Sequence, residues 1–241
     1  ADADCDGVLN ASDCDDGDAS LPRDDADCDG VLTADDCDDS DEASTAVAED
    51  GDCDGVLTEE DCDDGDDSVG VCWVDVAAGH SNSCGITIAG NVRCWGRDDC
   101  GQSTPPLGTF TSVAAGHFQS CGIRSPSQTI ECWGQEVEDM PTGTFEAVGV
   151  GGEHGCGLTT TGDIDCWFLR PSRWATYDFP MSSYTTLGVG PWSTCGVNVA
   201  GSIDCWGGTD EDGPTDWTWP GEFLMVSEGL WHDCAVTGTG T

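Results

Sequence analysis

The chain has 241 residues, with 48 acidic side chains against 6 basic ones, a formal net charge of −42 and 17 cysteines. A surface this negative lacks the Lys and Arg that would displace counterions from phosphate or settle on anionic lipid, so neither nucleic-acid binding nor membrane insertion is expected. The cysteines contain no C-x-x-C pair and read as disulfides of an oxidising compartment, extracellular or at the cell surface.

The first residue is Ala and no hydrophobic leader follows, as expected of a processed secreted protein or of a fragment. No apolar run is long enough for a spanning helix. Charge divides the chain in two. Residues 1–70 hold 28 acids and one base (Arg23), and residues 71–241 hold 20 acids and 5 bases. This asymmetry predicts an acidic repeat region over 1–68 and a second domain over 69–241.

The acidic region repeats three times, as DADCDGVLNASDCDDGD (2–18), DADCDGVLTADDCDDSD (25–41) and DGDCDGVLTEEDCDDGD (50–66). Each unit fits the twelve-residue pattern D-x-D-x-D-G-φ-φ-x-x-x-D, where φ is apolar. Calcium takes six to eight oxygens, and alternate side chains of a tight loop converge on one point. Candidate ligands are therefore Asp2, Asp4, Asp6, the Val8 carbonyl and Asp13. The second unit supplies Asp25, Asp27, Asp29, Val31 and Asp36, and the third Asp50, Asp52, Asp54, Val56 and Asp61. Gly at the sixth position allows the sharp turn, and Leu at the eighth is expected to anchor the loop. Three calcium ions would offset only 6 of the 27 net negative charges of residues 1–70, so further ions are expected. Their candidate ligands are Asp15 and Asp18, Asp38 and Asp41, and Asp63 and Asp66.

These loops match the EF-hand calcium loop position by position, with Asp in place of the usual Glu at the twelfth and no flanking helical pattern. The wider form D-x-D-x-D-G…D-C-D-D-G-D resembles the thrombospondin type 3 repeat and related metal-binding repeats of secreted bacterial proteins. That resemblance implies an irregular string built around Ca2+ and stitched by disulfides, with no hydrophobic core. Without metal, one Val-Leu pair per unit cannot offset chain entropy, and disorder is expected. Cys5/Cys14, Cys28/Cys37 and Cys53/Cys62 pair within units or between neighbours, and spacing does not choose.

From about residue 69 a different repeat runs. A Gly-x-x-x-x-Cys phrase recurs at Gly79–Cys84, Gly116–Cys121, Gly151–Cys156, Gly190–Cys195 and Gly229–Cys234. A Cys-Trp phrase follows ten or eleven residues after the first four of these cysteines, at Cys94, Cys132, Cys166 and Cys205. Short alternating stretches broken by Gly lie between, which predicts one β-hairpin per unit with its two cysteines facing across antiparallel strands. Tandem strand-rich units of this size predict an all-β fold, a small disulfide-braced β-propeller of about five short blades.

The pattern V-A-A-G-x-x-H-x-C-G…G-x-V-x-C-W-G…G-Q is similar to the regulator of chromosome condensation repeat in a short, cysteine-bearing form. The resemblance implies a propeller used as a binding platform, in a family whose propellers usually have seven blades. Here four full units precede an incomplete fifth. Val71-Cys72-Trp73 reads as its missing Cys-Trp strand, so that a Cys72–Cys234 bond would close a five-bladed ring. The alternatives are that this strand pairs with a neighbouring molecule, or that Cys72 bonds Cys100.

No G-x-S-x-G, H-E-x-x-H or phosphate-binding glycine loop occurs, and no enzymatic activity is expected. His80, His117, His154 and His232 share places in the repeat and read as structural. The repeat tryptophans read as blade core. The functional expectation is a calcium-binding structural or interaction protein of the cell surface or matrix, with a protein partner or self-association, including as a fibre subunit. The alternative is a soluble propeller that binds or inhibits a partner protein.

Overall fold

A computed structural model describes residues 31–32, 34–38, 40, 44, 46–136, 140–169, 182–207, 217–229 and 232–238. The first acidic unit and the expected ligands Asp25, Asp27, Asp29 and Asp41 lie outside these residues, as do Cys5, Cys14 and Cys28. The chain forms two compact units, Ala1–Cys72 and Trp73–Thr241.

The described part of the first unit is turns and isolated bridges. Antiparallel bridges join Asp36 to Ala46 and Asp61 to Val71, so the twelfth loop position of the second and third units pairs with a residue ten further on. Disulfides Cys37–Cys53 and Cys62–Cys72 stitch the turns. Cys37–Cys53 joins the second repeat to the third, and Cys62–Cys72 ties the third to the residues that follow it.

The second unit is all-β, with no helix among the described residues. Its first sheet is β1 (Trp73–Ala78), β2 (Asn82–Thr87) and β3 (Val92–Gly96). The second is β4 (Phe110–Ala115), β5 (Gln119–Arg124) and β6 (Ile130–Gly134), and the third is β7 (Phe145–Val150), β8 (His154–Thr159) and β9 (Ile164–Phe168). The fourth has β10 (Tyr184–Val189), β11 (Ser193–Asn198), β12 (Ile203–Gly207) and β13 (Trp217–Trp219). The fifth has two strands, β14 (Phe223–Glu228) and β15 (Asp233–Thr237). The first four are antiparallel meanders and the fifth an antiparallel hairpin, the blades of a propeller.

The repeat residues explain the blade. An aromatic residue opens each first strand (Trp73, Phe110, Phe145, Tyr184, Phe223), and a bulge follows it in every case. In the first four blades its ring lies over the Gly of the Cys-Gly pair: Gly85, Gly122, Gly157 and Gly196 each leave space that a methyl group would take from the ring. The fifth blade has Ala235 at this place, and there the Phe223 ring lies against Gly221.

In the first four blades the two cysteines sit directly opposite in the second and third strands and form disulfides Cys84–Cys94, Cys121–Cys132, Cys156–Cys166 and Cys195–Cys205. Cα separations of 4.0 to 4.1 Å are those of close, non-hydrogen-bonded cross-strand pairs.

Successive blades pack by one recurring arrangement. Cys84 and Ile86 of the first blade bury against Phe110, Val113 and Trp133 of the second. Cys121 of the second meets Val150 and Trp167 of the third, and Cys156 and Leu158 of the third meet Tyr184 and Trp206 of the fourth. Cys195 and Val197 of the fourth meet Val226 and Phe223 of the fifth. The opening aromatic also donates its backbone N–H to the preceding blade: Phe110 to Gly90 O (2.9 Å), Phe145 to Gln128 O (2.8 Å), Tyr184 to Gly162 O (2.7 Å) and Phe223 to Gly201 O (2.9 Å).

Two expectations are corrected. Cys72 bonds Cys62, not Cys234 or Cys100, and Cys234 and Cys100 are exposed free thiols. The Asp61–Val71 bridge and a hydrogen bond from Cys72 N–H to Glu60 O (2.8 Å) hold Cys72 beside Cys62. Val71-Cys72-Trp73 is thus no third strand of the fifth blade: Trp73 opens β1. Of the Cys-Trp tryptophans, Trp133, Trp167 and Trp206 are core, whereas Trp95 is half exposed. Each such Trp packs on the preceding blade, and no blade described precedes the first.

Trp167 is buried, and its indole N–H donates to Gln119 Oε1 at 2.9 Å. Trp167→Ala should cost about 3–5 kcal/mol in urea unfolding, as for large buried aromatics. Trp95→Ala, in the same motif, should cost less than half as much.

Candidate functional site

The third acidic loop is described in full. Asp50 is fully buried, and its carboxylate accepts the N–H groups of Cys53 (2.8 Å) and Gly55 (2.9 Å). Asp52 accepts from Asp54 N–H (3.3 Å), and Asp54 from Val56 N–H (2.7 Å). These Asx-type bonds coil the loop so that alternate carboxylates face one region. One oxygen each of Asp50, Asp52 and Asp54 lies within 4.8 Å of the other two. Gly55 has φ of 90°, a left-handed conformation that a side chain disfavours.

The donor set fits a hard cation. Asp52 Oδ2, Asp61 Oδ2 and Asp36 Oδ2 are buried and accept no hydrogen bond. A buried carboxylate oxygen without a donor is costly unless a positive charge meets it. Burial raises the Asp52 carboxyl above the ordinary range, and the charges of Asp54, Asp61 and Asp50 push the same way. Asp61 is not drawn into the close triplet of Asp50, Asp52 and Asp54, but its charge reaches Asp52.

The extra acids take other parts. Asp63 N–H donates to Asp61 Oδ1 (2.8 Å), and the Asp66 carboxylate accepts from Ser68, whose hydroxyl lowers its pKa. Asp38 holds Ser40 in the same way. Asp64, another of the extra acids, ties the loop by accepting from Gly51 N–H (2.8 Å) and the Thr58 hydroxyl (2.9 Å). Leu32 and Leu57, expected as anchors, are exposed, since no flanking helix offers them a core.

The propeller carries a second feature that the sequence did not signal. The turns at Gly79, Gly116, Gly151, Gly190 and Gly229 line one cavity of about 640 Å3, with His80, His117, Phe118, Glu153, Trp192 and Glu228. Backbone bonds link the turns blade to blade, from His80 N–H to Gly116 O (3.2 Å), from His117 N–H to Gly151 O (3.3 Å) and from Gly152 N–H to Pro191 O (3.1 Å). The His80 and His117 ring centres lie 4.2 Å apart with the rings tilted by 40°, and His117 stacks on Phe118 at 3.9 Å. Burial, then His80, lowers the His117 pKa.

Glu228 accepts the Ser193 hydroxyl through Oε2, while Oε1 is buried without a partner. Burial pushes its carboxyl up to about 8. His154 is buried, bonded to the Thr194 hydroxyl at 2.9 Å, and burial lowers it to about 4.

Trp217 packs in the core between the fourth and fifth blades, and Trp219 beside it is exposed. Trp174 and Trp231 lie outside the described residues.

Residues 73–102 match the regulator of chromosome condensation (RCC1) repeat. Among curated proteins no relative matches the chain. Solved structures do. The entire ectodomain of the Physcomitrella patens receptor kinase CR4 is 27% identical, over 69% of this chain and 47% of its own, with a TM-score of 0.56. The crinkly WD40 ectodomain of the Arabidopsis thaliana receptor kinase ACR4 is 29% identical, over 55% of this chain and 49% of its own, with a TM-score of 0.49. Prp20p of Saccharomyces cerevisiae, described with its binding to Gsp1p and histones, is 15% identical over 70% of this chain and 56% of its own, with a TM-score of 0.54. The chain thus spans about half the length of the receptor ectodomains it matches. The second unit has an RCC1-like propeller fold, and five described blades stand against the seven expected of that family.

Two outcomes are expected. Gly55→Ala meets no atom within 4 Å, so its cost is conformational, about 1–2 kcal/mol, read as earlier urea unfolding of the acidic unit. Folded Glu228 keeps a proton that an ordinary carboxyl near 4.5 releases, so its contribution to stability falls as pH rises from about 4.5 to about 8. His154 acts oppositely but only between about 4 and 6.5. Glu228→Gln should therefore flatten the fall in urea midpoint between pH 6.5 and 8.

Proposed function

We propose that the chain is an extracellular, non-enzymatic calcium-binding protein whose acidic repeats order around Ca2+ and whose RCC1-like propeller binds protein. The observation that carries the calcium assignment is the pair of buried, donor-less oxygens on Asp52 and Asp61, beside the converging carboxylates of Asp50 and Asp54. At 4.8 Å two carboxylates repel by about 1 kcal/mol in water and by about 3–4 at an effective dielectric of 20. A divalent cation turns that repulsion into attraction. Oxygen-only donors suit calcium over zinc or copper.

Location outside the cell is supported by six disulfides among the described residues and by the likeness to a receptor ectodomain. A protein-binding role is supported by the fold it shares with Prp20p. The cavity lined by Trp192, Phe118 and paired histidines favours a second form of this role, a soluble propeller that seats a partner's side chain.

Native mass spectrometry of the non-reduced protein should find calcium bound, and EDTA should change the far-ultraviolet circular dichroism of the acidic unit. Asp52→Asn should lower the stoichiometry by one ion. No uptake by the wild type, with a spectrum indifferent to EDTA, defeats the calcium assignment.

A further inference from the structure

In the second, third and fourth blades the turn between the first two strands is closed by a glycine N–H. Gly116 donates to Gln119 O (2.9 Å), Gly151 to His154 O (2.7 Å) and Gly190 to Ser193 O (2.9 Å). Two residues form the tip of each turn: His117 and Phe118, Gly152 and Glu153, Pro191 and Trp192. All six line the cavity of about 640 Å3. Each of these three blades is packed against another on both sides. In blade order the second tip position reads Phe118, Glu153, Trp192, one carboxylate between two large aromatic side chains.

The floor of this cavity is fixed before any guest arrives. A Cβ at Gly116 would stand 2.5 Å from Gly151 O, and one at Gly151 would stand 2.2 Å from Gly190 O. Glycine therefore lets the backbones of successive turns approach and bond. Gly152 likewise puts no side chain beside Glu153, since a Cβ there would stand 2.8 Å from Pro191 O. A preformed site spends little of its binding energy on ordering itself.

Aromatic faces beside a carboxylate suit a flat cation. A guanidinium stacks on rings, forks onto a carboxylate and is less strongly hydrated than an ammonium. Burial and the neighbouring His80 lower the His117 pKa, so at neutral pH this ring offers a π face rather than a repelling charge. Arg97, whose charge also reaches His117, is paired with Asp99 at 2.5 Å. His80, His117 and Glu153 do not gather three ligand atoms within 4.8 Å as Asp50, Asp52 and Asp54 do, so they are not arranged around a metal ion. The volume is that of a small-ligand site and leaves room for a side chain with some of its flanking backbone.

We propose that this cavity seats an arginine side chain of a partner protein, its guanidinium against Glu153 and between the rings of Phe118 and Trp192. This rests on the reading above that the cavity seats a partner's side chain, and it names that side chain. Residues 71–241 carry 20 acids against 5 bases, so their field draws a basic loop toward the turns.

The test is titration calorimetry of the full, non-reduced chain in calcium buffer at about 0.15 M salt, where exposed charges beyond about 8 Å are screened. The probes are capped pentapeptides Gly-Ser-X-Ser-Gly, with arginine, lysine, citrulline or leucine at X. The arginine peptide should bind, with a dissociation constant of about 1 mM or below. Citrulline keeps the shape without the charge and should bind at least about tenfold more weakly, and lysine at least about threefold more weakly. Glu153→Gln and Trp192→Leu should each weaken the arginine peptide about tenfold. Glu146→Gln removes the same charge from the exposed row of β7 in the same blade and should leave binding unchanged. Circular dichroism and the urea midpoint check that each variant is folded, and the citrulline and lysine comparisons use the wild type alone.

Arginine binding that survives both cavity substitutions, or that falls as much in Glu146→Gln, belongs to the general acidic field and overturns the proposal. Citrulline or lysine binding as tightly as arginine overturns it too. A leucine peptide that binds through Trp192 where the arginine peptide does not ends the arginine assignment and keeps the cavity as a seat for a side chain. Silence of all four peptides ends both. Calcium uptake is read separately, so its failure is distinguishable from either.

Discussion

A sheet of three short strands has two faces and cannot cover either alone. Everything in the propeller follows from that constraint. Each of the first four blades presents a disulfide and an aliphatic side chain forward and an aromatic, a Val or Leu and a Trp backward, and stability comes from stacking one on the next. The cross-strand disulfide makes the forward face rigid and apolar without a large side chain. The Trp behind it fills the volume that remains, as Trp133, Trp167 and Trp206 do.

The acidic unit follows an opposite logic. It has too little apolar surface to fold by burial, and its Leu residues stay in contact with water. Order comes from backbone N–H groups donated to carboxylates and from disulfides that run between repeats. The same bonds gather negative charge, which repels itself unless cations balance it. One chain thus holds two kinds of order, one from apolar burial and one from carboxylates that accept backbone N–H groups.

Much of the blade was legible because each repeated residue answers a local need: Gly where a ring lies over the backbone, Cys where strands oppose closely, Trp where a neighbour must be filled. The Asp ladder and Gly55 were legible for the same reason. The junction at residues 71–73 was misread because a Cys-Trp dipeptide looks the same wherever it stands. A better signal was present: an aromatic lies six residues before the turn glycine in every unit, and Trp73 keeps that distance from Gly79. Position in the chain then gave Cys72 a nearer partner, Cys62, at the ten-residue separation the blades also use. The cavity and the ionisation of Glu228 were not legible, since they arise from five turns brought together by stacking. No single segment records them.

One substitution in the last repeat has a wider effect. Ala235 replaces the glycine over which the other blades seat their opening ring, and the Phe223 ring moves to Gly221. The fifth blade therefore holds together less through its own packing and more through what it leans on. Such an element breathes before its neighbours do, exchanging amide protons and admitting proteases ahead of the rest.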